Sequence, residues 1–219
     1  HLDKFSIRQL RDKVETFVTP LGVGEHLRGW GVEPERVVEL DWWQSVALDS
    51  LTLTATPAQH FSGRGLHDRN RTLWASWVIE SSESRLFFSG DTGYFDGFRE
   101  IGKHFGPFDV TMIETGAYNR AWRKVHMMPE EGMQAHLDLG GRAMLPIHNS
   151  TFDLSTHAWY EPLERASELA AQQGVNLLTP VIGAPVSLTA PSASYAWWRE
   201  MDTEEALAAA GPEACGDNC

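Results

Sequence analysis

The fold is decided by the stretch Phe87-Phe88-Ser89-Gly90-Asp91-Thr92-Gly93-Tyr94, in which an apolar strand runs into a glycine-rich turn. Gly90 and Gly93 flank Asp91 and permit a tight turn around it. A carboxylate at the end of a buried strand is costly unless a positive group compensates it. Two interpretations stay open: Asp91 binds a ligand at the strand end, or it caps the helix that we predict from Tyr94 to His104.

Two other stretches end an apolar strand in a histidine. Thr56-Pro57-Ala58-Gln59-His60 and Leu145-Pro146-Ile147-His148 both have this form. Strand ends are where layered α/β folds place their chemistry, so we expect His60, Asp91 and His148 to converge. A His, Asp and His set suits zinc, iron or manganese. Taken singly, each histidine is also compatible with a hydrogen-bonded place in the core.

The composition describes a chain of 219 residues with 42% hydrophobic residues, enough for one domain with a substantial core. We assign residues 1–200 to this domain and 201–219 to an acidic, disordered tail that contains both cysteines, Cys215 and Cys219. The net charge of -12 argues against nucleic-acid binding. No apolar run reaches the roughly 20 residues of a membrane span, and no signal peptide is visible. These features indicate a cytoplasmic protein, although the chain starts with His1 rather than Met.

Hydrophobic periodicity predicts an α/β fold with two sheets and helices outside them. Leu51, Leu53 and Ala55 alternate with threonines, which is typical of a half-buried strand. We expect a turn at Thr19-Pro20-Leu21-Gly22. The predicted strands are 17–18, 36–40, 45–48, 51–58, 72–80, 85–88, 108–113 and 143–147, and the predicted helices are 1–14, 23–30, 94–104, 129–140 and 159–173.

These motifs together resemble the metallo-β-lactamase superfamily, and within it the N-acyl-phosphatidylethanolamine phospholipase D-like branch. The resemblance extends from His1 to about Ser155 and does not depend on one short motif. The residues that carry it are Thr-Pro-Ala-Gln-His at 56–60, Asp68-Arg69-Asn70 followed by Leu73-Trp74-Ala75-Ser76-Trp77, the stretch 87–94, His126-Met127, Pro129-Glu130-Glu131 and Pro146-Ile147-His148.

The resemblance implies an αββα sandwich with two metals, zinc above all and manganese or iron as alternatives, at the edge of the sheets. The family signature His-X-His-X-Asp-His is represented only by its final histidine, His1, so we expect the N-terminal portion of the domain to be missing. By analogy one metal takes His60 and Asp91 and two absent histidines. The other takes His1, Asp91, His148 and an absent aspartate. Because catalytic zinc has about three protein ligands, we expect this chain alone to be impaired.

The activity implied for the intact protein is hydrolysis of a phosphodiester by a metal-bound hydroxide. Asp91 bridges the metals and orients the hydroxide, and His126 contacts the phosphate or transfers a proton. Arg64 and Arg69 are candidates for bidentate phosphate binding. The alternatives are a surface histidine before a helix for His126, and solvated loop charges or ion pairs for the two arginines. A phospholipid substrate would imply peripheral contact with a membrane.

One departure from the family affects the substrate. After His148 this chain has Asn149-Ser150-Thr151-Phe152, where the family's mammalian enzyme resembles His-Trp-Gly-Thr-Phe. Two further functions therefore stay open. One is a lactonase or other hydrolase that acts on a small molecule resembling a sugar phosphate. The other is a non-catalytic remnant that lacks the His-X-His-X-Asp ligands.

Overall fold

The computed structural model describes residues 2–188 and 195–201. His1 and most of the predicted tail, including Cys215 and Cys219, lie outside these ranges. The helices are α1 (Lys4–Leu10), α2 (Val23–Gly29), α3 (Gly97–Phe105), α4 (Pro129–Leu139) and α5 (Glu161–Gln173). The strands are β1 (Phe17–Pro20), β2 (Val37–Leu40), β3 (Ser45–Leu48), β4 (Leu51–Thr56), β5 (Ser76–Glu80), β6 (Arg85–Phe88), β7 (Phe108–Glu114), β8 (Gly141–Ile147) and β9 (Asn176–Leu177).

The strands form two sheets, as the sequence predicts. A seven-stranded sheet has the order β3-β4-β5-β6-β7-β8-β9, and β1 pairs with β2 in a separate two-stranded sheet. The large sheet is antiparallel from β3 to β6 and parallel from β6 to β9. The carboxyl ends of its parallel strands therefore meet at one edge, which is the edge where ligands bind in open α/β sheets.

One face of the large sheet is covered by helices. The row Val78, Phe87, Thr111 and Met144 follows the strand register across β5 to β8, and all four residues are buried. Val78, Phe87 and Met144 join the main hydrophobic core, to which α3, α4 and α5 contribute. The helical residues of this core are Phe98, Ile101, Met133, Ala135, Leu139, Ala166, Leu169 and Ala170. Removal of this apolar surface from water stabilises the domain.

The opposite face is also apolar but less buried. Its row of Ile79, Leu86, Val110 and Ala143 alternates with the buried row, as the pleat requires. Val110 and Ala143 are buried together with Leu178. Leu86, Met112 and Leu145 are only partly buried against this small cluster. Phe88 is 37% exposed, whereas its neighbour Phe87 has no exposed surface.

Several boundaries differ from the predictions because local hydrogen bonds decide them. Helix α1 begins after Asp3, whose carboxylate accepts from the backbone N–H of Ser6 at 2.6 Å. Thr19 and Pro20, predicted in a turn, belong to β1. Strand β5 begins at Ser76 and not at Thr72. Before it, the Trp74 indole donates to the Ala58 carbonyl at 2.9 Å, so this segment is held by a side-chain bond.

Among the described residues, no helix is both long enough and apolar enough to cross a membrane. The first turn of α4 contains Glu130 and Glu131, whose charges suit the positive end of the helix dipole, and Gly140 ends the helix in the left-handed conformation. His136 of α4 is 2% exposed. Its Nδ1 lies 2.7 Å from the hydroxyl of Thr111 on the helix-covered face, so His136 packs inside the domain.

Candidate metal centre

Hydrogen bonds hold the segments that follow β4 and β6 side by side. The backbone N–H of Gln59 donates to the Thr92 hydroxyl at 2.9 Å, and the N–H of Gly93 donates to the Gln59 carbonyl at 2.9 Å. His60 directly follows Gln59, and Asp91 directly precedes Thr92. These two hydrogen bonds therefore bring His60 and Asp91 to the same edge of the sheet.

The third predicted residue, His148, directly follows β8. Its Nε2 lies 3.5 Å from Oδ1 of Asp91. The backbone of His148 has φ 63°, a left-handed conformation that is uncommon for any residue other than glycine. The residue before His148 is fixed by Thr115, whose backbone N–H donates to the Ile147 carbonyl at 2.9 Å. A Cβ atom at Gly116 would lie 2.5 Å from the His148 carbonyl oxygen, so only glycine fits there.

The His60 ring is fixed in one tautomer. Its Nδ1 lies 2.8 Å from the Phe61 carbonyl, which can only accept a hydrogen bond. Nδ1 therefore carries the proton, and Nε2 of the neutral ring carries a lone pair. Burial lowers the pKa of His60 and favours this neutral form. A neutral imidazole held through its other nitrogen is the usual arrangement of a metal ligand.

His126 lies beside His60 and His148, and we call these three histidines and Asp91 the His-Asp cluster. Its ring centroid lies 6.0 Å from that of His60 and 5.4 Å from that of His148. Nδ1 of His126 lies 3.0 Å from Oε1 of Glu114. This bond raises the pKa of His126 and outweighs the effect of burial. The side chain is 20% exposed, so the structure does not place His126 on the open surface before α4.

Glu114, at the end of β7, is the residue that the sequence analysis missed. Its carboxylate is buried and accepts backbone N–H bonds from Gly116 and Met127, each at 3.0 Å, besides the bond with His126. A signal was present, because β7 ends in a carboxylate at the edge where β6 and β8 also end. The fixed carboxylate orients the His126 ring.

Glu114, His126 and His148 also present ligand atoms within 4.8 Å of one another, a group that could hold a metal ion. Both oxygens of Glu114 already accept hydrogen bonds, however, and the carboxylate has no exposed surface. A carboxylate engaged in this way is better suited to orienting a neighbour than to binding the ion itself. Among the described residues, His60, Asp91 and His148 therefore stay the predicted metal ligands.

The two predicted phosphate-binding arginines lie in the exposed loop that follows His60. The Arg64 guanidinium lies 4.9 Å from the ring centroid of Trp30 and donates to the Leu2 carbonyl at 2.5 Å. The Arg69 guanidinium lies 4.5 Å from the ring centroid of Phe61. Phe61 in turn stacks on His60 at 4.7 Å. The Phe61 ring therefore separates Arg69 from His60, whereas Arg64 contacts the N-terminal segment.

The structure bears on the alternatives that the sequence left open. Helix α3 begins at Gly97 with Asp96 at its N-cap, so Asp91 does not cap it. His60 is partly buried, and the His148 side chain is 31% exposed, so neither is a core histidine. His1, the fourth ligand implied by the family resemblance, lies outside the described residues.

The fold and the residues at its edge define an α/β protein of the metallo-β-lactamase type. The family model for the beta-lactamase superfamily domain matches residues 1–149. The chain belongs to this superfamily.

Relatives and solved structures agree with this assignment. An uncharacterized protein of Mycobacterium tuberculosis is 49% identical over 186 residues, which cover 84% of this chain and 50% of the relative. N-acyl-phosphatidylethanolamine-hydrolyzing phospholipase D 1 of Caenorhabditis elegans is 33% identical over 183 residues, covering 77% of this chain and 51% of the relative. The resemblance to this branch is confirmed. The solved structure of Igni18, a metallo hydrolase of Ignicoccus hospitalis, superposes with a TM-score of 0.63 at 18% identity.

The Igni18 superposition covers 82% of this chain and 71% of that structure, and at this low identity it supports the fold alone. This chain spans about half the length of the two curated relatives described above, 50% and 51%.

Proposed function

We propose that this chain carries part of the active site of a metal-dependent hydrolase, and that the intact protein cleaves a phosphodiester as phospholipases D of the N-acyl-phosphatidylethanolamine type do. The observation that carries the proposal is the convergence of His60, Asp91, His126 and His148 at one edge of the sheet. The similarity to the Caenorhabditis elegans phospholipase D supports the choice of reaction.

The donor set fits divalent zinc, with manganese or iron as alternatives. Imidazole nitrogens and a carboxylate oxygen are ordinary ligands for these ions. His60 is held neutral through the Phe61 carbonyl, and His60, Asp91 and His148 would supply ligands to the two ions. When bound, a pair of such ions lowers the pKa of water and offsets negative charge on the substrate.

In the mechanism that we propose, His126 handles the proton. The hydrogen bond with Glu114 occupies Nδ1 of His126, so the opposite nitrogen, Nε2, is the atom that would contact the substrate. Water attacks the phosphorus, the P–O bond to the alcohol breaks, and the departing alkoxide takes the proton from Nε2–H of His126. The proton that the attacking water loses returns His126 to its protonated form, so no net proton is gained or lost by the protein. The hydrogen bond with Glu114 raises the pKa of His126, which favours the protonated ring that this step needs. Arg69, stacked on Phe61 beside His60, is placed to contact a phosphate oxygen.

A metal analysis tests the site before any substrate is known. We expect the purified 219-residue chain to retain one metal or none after dialysis against metal-free buffer. The reason is that the resemblance leaves two protein ligands for one metal and three for the other. The Asp91→Asn variant should lose any retained metal, whereas Asp49→Asn, in the turn between β3 and β4, should leave the content unchanged. About two metals per chain would show that other residues complete the centre and that our ligand count is wrong.

An assay of the intact protein tests the reaction. The coding sequence read upstream of His1 should contain His-X-His-X-Asp, and its absence would favour the non-catalytic alternative. The full-length protein should hydrolyse N-acyl-phosphatidylethanolamine, and His126→Gln should slow this reaction about 100-fold or more, because the departing alkoxide needs a proton. The same variant should slow hydrolysis of bis(4-nitrophenyl) phosphate much less, because nitrophenolate leaves without a proton. Hydrolysis of a sugar lactone without phosphodiester cleavage would favour the small-molecule alternative.

A further inference from the structure

One side chain, that of Gln59, connects the loop of His60 to the segment that precedes His126. Nε2 of Gln59 donates to the Lys124 carbonyl at 2.9 Å. Lys124 is 65 positions further along the chain than Gln59, and it lies two residues before His126. The contact therefore joins two parts of the candidate site that are distant in sequence.

The backbone of Gln59 is fixed independently of this contact. Its N–H donates to the Thr92 hydroxyl, and its carbonyl accepts from the Gly93 N–H. The Thr92 side chain is buried, and its hydroxyl donates in turn to the Gly93 carbonyl at 2.8 Å. On the other side of Gln59, the Trp74 indole holds the Ala58 carbonyl at 2.9 Å. The side-chain amide of Gln59 therefore extends from a backbone that is held on both sides.

The packing around this contact is close. A Cβ atom at Gly93 would lie 2.4 Å from the Lys124 carbonyl oxygen and 2.9 Å from Nε2 of Gln59. Cβ atoms in proteins hardly ever come so near to another heavy atom, so glycine is what permits the approach. Since Gly93 lies two residues after Asp91, the loop of this predicted metal ligand also meets the segment before His126.

Hydrogen bonds hold the short segment from Lys124 to His126 as a turn. The backbone N–H groups of Val125 and His126 both donate to the Trp122 carbonyl, at 2.9 and 3.1 Å. A displacement of Lys124 would therefore be transmitted to His126. Glu114 fixes the orientation of the His126 ring, whereas this turn fixes the place of its backbone.

We propose that Gln59 is a positioning residue that sets the distance between the proton donor His126 and the predicted metal ligands His60 and Asp91. The inference rests on the proposed function, in which His126 supplies a proton to the departing alkoxide. Gln59 acts through the Lys124 carbonyl and need not touch the substrate. A misplacement of about 1 Å can slow a reaction about 100-fold, so one hydrogen bond at this point affects catalysis more than stability.

A measurement of position tests the inference without any substrate. The ring centroids of His60 and His126 lie 6.0 Å apart, with the rings inclined by 87°. We therefore expect a nuclear Overhauser effect between their ring protons in the metal-free 219-residue chain. Gln59→Met nearly keeps the size of the side chain and removes the donor, so this effect should lose intensity. An unchanged intensity in Gln59→Met would overturn the proposal.

A matched glutamine lies in α4. The Gln134 side chain is exposed, and its Nε2 donates to Asp138 at 2.9 Å in the same helix. Gln134→Met therefore removes a glutamine hydrogen bond without altering the contact between Gln59 and Lys124. It should leave the effect between the two histidine rings unchanged. Amide spectra of both variants would establish that they are folded.

Kinetics of the full-length protein test the consequence for catalysis. Gln59→Met should slow hydrolysis of N-acyl-phosphatidylethanolamine about tenfold, less than His126→Gln does, because Glu114 still orients the ring. It should leave hydrolysis of bis(4-nitrophenyl) phosphate nearly unchanged, since nitrophenolate departs without a proton. Gln134→Met should alter neither reaction. Equal slowing of both reactions by Gln59→Met would give Gln59 a purely structural role and overturn the proposal.

A failure of this inference differs from a failure of the proposed function. If His126→Gln slows both phosphodiesters equally, the proposed role of His126 as general acid is wrong, and the measurement on the two rings still decides whether Gln59 positions His126. If His126→Gln separates the two substrates and Gln59→Met does not, the general acid is correct and the positioning role of Gln59 is wrong.

Discussion

The two faces of the seven-stranded sheet are built from alternate residues of the same strands, yet they are buried to different extents. Phe87 and Phe88 are neighbours of the same type, and only Phe88, at 37%, has appreciable exposure. On the Phe87 face, three helices complete the core. On the Phe88 face, Leu86, Met112 and Leu145 pack only partly against a small cluster. The difference indicates that the helix-covered face supplies most of the stability of the described residues.

The largest expected effect tests this difference directly. Phe87→Ala should lower the free energy of unfolding by about 3–5 kcal/mol, because it leaves a cavity in the main core. Phe88→Ala, the matched control on the other face, should lower it by roughly 1 kcal/mol, because much of that ring is already in water. Chemical denaturation followed by far-ultraviolet circular dichroism measures both values. Similar losses for the two variants would show that the Phe88 face is as important to stability as the covered one.

The second prediction concerns the sheet edge, where β7 ends in Glu114. Glu114→Gln removes the charge that three donors share, so the free energy of unfolding should fall by about 1.5–3 kcal/mol. The pKa of His126 should fall as well, because the Glu114 carboxylate is the main cause of its elevation. Proton NMR titration of the metal-free chain measures this pKa.

A matched carboxylate lies nearby in α4. Glu131 bonds the Met128 N–H and the Arg123 guanidinium, and it does not contact His126. Glu131→Gln should therefore leave the pKa of His126 unchanged. If both variants moved the pKa of His126 equally, the effect would come from net charge and not from the hydrogen bond with Glu114.

The smallest expected effect uses pH to probe the covered face. Burial lowers the pKa of His136 to about 4 from an ordinary value of 6.5. Between these two values the unfolded chain binds a proton that the folded chain does not, so acid destabilises the fold. The contribution of His136 to the free energy of unfolding should fall by about 1.4 kcal/mol from about pH 7.5 to about pH 5.5. Denaturation at both pH values measures this change.

Two variants isolate His136 from the other groups that titrate. His136→Gln should remove this part of the pH dependence, whereas His104→Gln, at an exposed histidine of α3, should keep it. An unchanged slope in His136→Gln would mean that another group causes the acid sensitivity.

Much of the sheet could be predicted from the sequence because its strands carry strong local patterns. The alternation in Leu51–Thr56 and the apolar run in Arg85–Phe88 predict strands that the structure contains. The ends of these strands also predicted that His60 and Asp91 would meet at one edge. Helix ends were less predictable. We predicted that α3 begins at Tyr94, but it begins at Gly97. The Tyr94 hydroxyl instead donates to Asp138 of α4 at 2.5 Å, a contact that the local sequence does not indicate.

The parts of the site that escaped prediction depend on contacts between distant residues. The end of β7 marks the position of Glu114, but its role follows from donors at positions 116, 126 and 127 that converge only after folding. Arg64 and Arg69 carry the same charge in the same loop, yet one contacts Trp30 and the other Phe61. Local sequence does not distinguish such partners, because aromatic rings are available on both sides of the loop.

The stacked indoles of Trp159 and Trp197 give the protein an optical reporter. Two indoles with centroids 6.2 Å apart and ring planes inclined by 28° couple their electronic transitions and produce an exciton contribution to the near-ultraviolet circular dichroism. Trp197 begins the short 3-10 helix Trp197–Arg199, so a change in the packing of this segment would perturb the signal without any added label. The pair would therefore report on the docking of this segment against the start of α5 in the unmodified chain.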